Sequence, residues 1–103
     1  MPIYLTKTLY TPDGLKGLHK EGAVRRRDEG ASVAAALGGA MLAFYGAFGD
    51  TDVFSIFDLP DDEAAAALSI AVNEAGSAKF TITKLLTAEQ IDEAFSRTMS
   101  YRP

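Results

Sequence analysis

The sequence predicts an α+β domain in which a four-stranded antiparallel sheet, ordered βαββαβ along the chain, carries its helices on one face. Three observations lead there. Residues 2–10 and 77–86 alternate in hydropathy with period two and are rich in aromatic and β-branched side chains, as strands are. Residues 40–58 hold two strand-like runs about a Gly-Asp turn, the pattern of a hairpin. Two Ala-rich stretches, 15–37 and 64–75, have helical spacing and follow the first strand and the hairpin respectively.

In "PIYLTKTLY" (2–10), Ile3, Leu5 and Leu9 fall on one side with Lys7 among them, and Tyr4, Thr6, Thr8 and Tyr10 fall on the other. "TPDG" then starts a helix. Thr11 suits the N-cap, Pro12 the first helical position, and Asp13 complements the positive helix end. One helix is expected from Leu15 to Leu37. Gly17, Gly22 and Gly30 inside it cost about 1 kcal/mol each against Ala, which close packing can offset. Gly38 and Gly39 stop it. "AMLAFYGAF" (40–48) is apolar on both sides, "GDTD" turns, and "VFSIFD" (53–58) pairs back. Asp61, Asp62 and Glu63 follow Pro60 where the next helix begins, and Leu68 and Val72 share one face of it. Gly76 ends that helix. "SAKFTITKLL" (77–86) sets Phe80 and Ile82 against Thr81 and Thr83, and Thr87 with Gln90 has capping-box spacing before a short last helix. The order is the split-βαβ, ferredoxin-like arrangement.

A chain of 103 residues makes one domain, 1–103, with one core. A net charge of −4 argues against sequence-independent nucleic-acid binding, which needs a basic face. No cysteine is present, which removes disulfides, thiolate nucleophiles and thiolate metal sites. The amino-terminal stretch lacks the basic start and apolar core of a signal peptide. Ala31–Phe48, the longest apolar stretch, is interrupted by Ser32, Gly38, Gly39 and Gly46 and makes a poor membrane span. The expectation is a cytoplasmic protein, ordered except at residues 100–103.

Chemistry is sparse in this chain. The acids Asp50, Asp52, Asp58, Asp61 and Asp62 read as turn and N-cap residues, with Asp52 placed to bond backbone amides in the turn. One histidine and no calcium-loop pattern leave no metal site to expect, and no cofactor motif is present. No serine stands in a nucleophile-elbow context. His19, the single histidine, precedes Arg26 by about two helical turns, so both can face one groove. With Tyr4, Tyr10 or Tyr45 from the sheet they could line a pocket for a small anionic or phenolic ligand. The alternative is a solvated helix edge with Arg26 paired to an acid. Of Arg25, Arg26 and Arg27 at least one must face solvent.

Several segments together resemble one family, the GYD-domain proteins. They are "YTPDGLKGL" after the first strand, "RRRD", "ALGG", and "FYGAFGDTDVFSIFDLPDDEAAAAL", and the likeness runs from Tyr4 to Phe95. Gly49 and Asp52 match the residues that give the family its name, while Thr51 stands where the family pattern has Tyr. The resemblance implies a dimeric α/β-barrel type of fold, with subunits packed sheet to sheet and a cleft between sheet and helices. Proteins of the same fold include cofactor-independent monooxygenases and ligand-binding stress proteins. Two functions follow as expectations. The first is a homo-oligomeric, small-ligand-binding or stress-associated protein whose partner is a second copy, with neither nucleic acid nor membrane. The second is a cofactor-independent oxygenase or isomerase with His19 as base and Arg26 holding an anion. Candidate ligand-binding residues are His19, Arg26, Tyr4, Tyr45 and Asp52.

Overall fold

A computed structural model describes residues 1–97 and 99–101; Arg102 and Pro103, part of the expected disordered end, lie outside the described residues. Strand β1 spans Ile3–Tyr10, helix α1 Pro12–Glu21, helix α2 Ala23–Ala36 and strand β2 Ala40–Gly46. Strand β3 follows at Val53–Asp58, helix α3 at Asp62–Ala75, strand β4 at Ala78–Leu85 and helix α4 at Ala88–Ser96. All pairings are antiparallel and the strand order is β2-β3-β1-β4. The two halves of the chain therefore interleave, as the ferredoxin-like prediction requires.

Local chemistry explains most boundaries. The Thr11 hydroxyl accepts from the Gly14 amide at 3.0 Å and Pro12 opens α1. Asp61 caps α3 through the Ala64 amide at 2.8 Å, and Gly76 closes it in the left-handed conformation. Thr87 and Gln90 form the reciprocal capping box of α4. Asn73 pins α3 to the edge strand: its side-chain amide donates to the Phe80 carbonyl at 3.0 Å and accepts from the Phe80 amide at 2.9 Å.

The expected single helix over 15–37 is two helices. Gly22 stands between them at φ 96° and ψ 147°, a conformation open to glycine and strained for any L side chain. Its carbonyl still accepts from the Arg26 amide, so α2 begins at once on a new course. Asp58 is the last residue of β3 rather than a turn or cap residue, and one of its carboxylate oxygens is buried without a partner.

Burial shows which side of β1 faces the helices. Tyr4, Thr6 and Thr8 are the buried residues of β1, facing the helices beside Phe57, Ser55 and Val53 of β3 and Phe80 of β4. Ile3, Leu5 and Leu9 lie on the opposite face with Lys7, and on β3 Ile56 is across from Leu5 and Phe54 across from Lys7. The core is Tyr4, Ala34, Phe57, Leu59, Ala65, Leu68 and Phe80. Helix α2 packs on β2 and α3 on β4, whereas α4 is exposed along its whole length. No described helix is long and apolar enough to cross a membrane.

Candidate functional site

Because α2 rests mainly on the β2 edge and α3 on the β4 edge, a cleft remains between the two helices above part of β1 and β3. Small residues keep the gap open. Gly30 on one wall and Ala71 and Ala75 on the other cannot reach across, and the floor holds the short side chains of Thr8 and Ser55. Gly30 leaves room for Met41, whose sulfur would lie 3.2 Å from a Cβ added there. The result is an open cleft of about 350 Å³, within the size range of small-ligand pockets. Phe44, Phe57, Phe80, Val53 and Leu68 supply much of its apolar lining.

Its polar end is built by Tyr10, Arg26 and Glu29, and the last two are its only charged lining residues among those described. The Arg26 Nη2 donates to Glu21 Oε2 at 2.8 Å, across the Gly22 break. Its Nε lies 3.7 Å from Glu29 Oε2, too far for a hydrogen bond, and is buried without a partner. The guanidinium also sits 5.9 Å from the Tyr10 ring centre. Burial raises the Tyr10 pKa, an effect that Arg26 partly opposes. The hydrogen bond from Arg26 lowers the Glu21 pKa, and that to Glu21 raises the pKa of Arg26. Tyr10 is therefore a neutral donor and Arg26 a fixed cation at neutral pH.

The other expected site residues are dispersed. His19 is exposed on α1 and does not line the cleft. Tyr4 lies in the core and donates to Asp62 Oδ1 at 2.6 Å; burial first, and then that bond, push its pKa up to about 12. Tyr45 points from the opposite sheet face and is 71% exposed. Asp52 accepts from the Tyr10 amide at 2.9 Å, and its own amide donates to the Thr8 carbonyl at 2.9 Å. It thus fixes the β2–β3 turn against the end of β1 and positions Tyr10 without entering the cleft. Arg25 and Arg27 are solvated and pair with Glu29 and Asp28. Among the described residues no group of three or more His, Asp or Glu is placed to hold a metal ion.

Glu29 and the floor residues Thr8 and Ser55 were not singled out from the sequence. Glu29 sits one turn after Arg26 on the same helix, a spacing that was available. Thr8 and Ser55 become cleft residues only through the β1–β3 register, which pairs Thr6 with Ser55 and Thr8 with Val53.

The family model described as the GYD domain matches residues 4–95, and the chain belongs to that family. The comparison with curated proteins gives no match, and neither does that with solved structures.

Proposed function

We propose that this GYD-domain chain is a homo-oligomeric binding protein that holds a small, mostly apolar molecule in the cleft between α2 and α3. The observation that carries this reading is the cleft itself: an apolar space floored by the sheet, with Tyr10, Arg26 and Glu29 converging at one end. Arg26 and Tyr10 are the groups expected to orient an anionic or phenolic ligand. His19 stands outside the lining, so the oxygenase or isomerase alternative has no imidazole base at this place, and binding is the reading favoured. The oligomer is supported by the outer sheet face, where Ile3 and Leu5 of β1 are only partly buried and Leu9 is exposed.

The test uses N-phenyl-1-naphthylamine, a neutral probe whose fluorescence rises in apolar sites. Saturable binding at one probe per chain is expected. Ala71→Phe fills the cleft from the α3 wall and should weaken that binding at least tenfold with an unchanged circular dichroism spectrum. Binding that Ala71→Phe leaves untouched places the probe elsewhere and overturns the reading, as does an absence of saturable binding.

A further inference from the structure

The polar end of the cleft sets one cation against two acids, Glu29 in the lining and Glu21 just outside it. Arg26 is its one cation, and it already faces Glu21 at 2.8 Å and Glu29 at 3.7 Å. The exposed Arg25, 3.7 Å from Glu29, brings the local balance back to about neutral without entering the lining. An anionic ligand would therefore meet no net positive field. The Arg26 Nη2 is taken by Glu21 in a charge-assisted bond, and an anion that approaches the buried, unpartnered Nε lies beside the Glu29 carboxylate. The rest of the space is apolar and cannot replace the hydration that a carboxylate gives up.

A neutral hydroxyl meets none of these obstacles. It can donate to Glu29, the one carboxylate in the lining, and accept from the Tyr10 hydroxyl. Burial of Tyr10 keeps that phenol protonated, and so a donor, well above neutral pH. We infer that the cleft takes a neutral, largely apolar molecule with a hydroxyl or phenolic group at one end, and that Glu21 and Glu29 select against the carboxylate of the same skeleton. This inference rests on the binding role proposed above and narrows it to one ligand class.

The experiment competes 2-naphthol and 2-naphthoate against N-phenyl-1-naphthylamine on the full chain at pH 7. Naphthol should displace the probe at a concentration at least tenfold lower than naphthoate. Desolvation alone favours naphthol, so the deciding measurement is the change of that ratio in Glu21→Gln, a variant of an exposed residue outside the cleft lining. Removing the competing carboxylate should tighten naphthoate at least fivefold and leave naphthol within twofold. A ratio unchanged by Glu21→Gln, or naphthoate binding as tightly as naphthol to the unaltered chain, overturns the selection against anions while leaving a binding cleft. Failure of the probe to bind removes the cleft reading and this inference with it.

Discussion

At the scale of single residues, Asp62 serves two others at once. It accepts from the buried Tyr4 hydroxyl, its oxygen Oδ1 lies 3.1 Å from Lys84 Nζ, and it adds negative charge at the start of α3. The Tyr4 bond first, and then the Lys84 bond, lower its pKa. Stability from this arrangement is present above the unfolded carboxylate value and is lost as the pH falls through the lowered folded value. Tyr4 has the opposite dependence. Its phenol is favoured in the neutral form, so its contribution is complete below its ordinary value of 10.0 and is lost as the pH rises towards about 12. Tyr4→Phe should destabilise the fold by about 1 kcal/mol at pH 7 in urea denaturation. It should also flatten the fall in melting temperature between those two alkaline values; an equally steep fall in the variant would refute the assignment. Leu59, with none of its surface exposed, is the plain packing case. Leu59→Ala should cost about 2–5 kcal/mol, read from the same denaturation curves.

At the scale of elements, glycines decide where the chain breaks. Gly22→Ala forces a side chain into a positive-φ position and should cost about 1–3 kcal/mol, with loss of helical signal before global unfolding. Gly39 has a different reason for lacking a Cβ, because one added there would collide with the Asp58 backbone carbonyl. Gly39→Ala should therefore disrupt the start of β2, and a variant with an unchanged amide spectrum at Ala40 and Asp58 would contradict this. Asn73 replaces a missing neighbour strand at Phe80, and Asn73→Ala should destabilise β4 by about 1–3 kcal/mol, seen as faster amide exchange at Phe80. The caps at Thr11, Asp61 and Thr87 were legible in the sequence because each acts within three or four residues of itself. The break at Gly22 was not, since four glycines between residues 14 and 30 look alike and only the tertiary course of α2 selects one. Arg26 was legible as an inward residue for the same local reason that His19 misled. Both fit one stripe of a continuous helix, and the kink divides that stripe.

For the whole molecule, the feature hardest to foresee is which side of β1 faces inward. Period two separates Ile3, Leu5 and Leu9 from Tyr4, Thr6 and Thr8 but does not say which set meets the helices. The helices take the hydroxyl-bearing set, and from that side Tyr4 reaches Asp62. The aliphatic set is left outward, which is the arrangement a sheet-to-sheet dimer needs. On the proposed pairing through this face, Ile56→Lys at its middle should shift the mass found by sedimentation equilibrium from about two chains to one. The same variant should leave probe binding in the cleft within about twofold, because the two faces do not share side chains.

Helix α4 is exposed along its whole length, and the molecule extends over 53 × 32 × 22 Å with a radius of gyration of 16.0 Å. A compact chain of this length has a radius near 13 Å. The difference appears as drag. A single chain of this shape meets more friction than a sphere of its mass and passes early through a sizing column, in the place of a heavier globule. If pairing folds α4 against the second copy, friction rises less than mass, and the dimer sediments faster than elution of the single chain would lead one to expect.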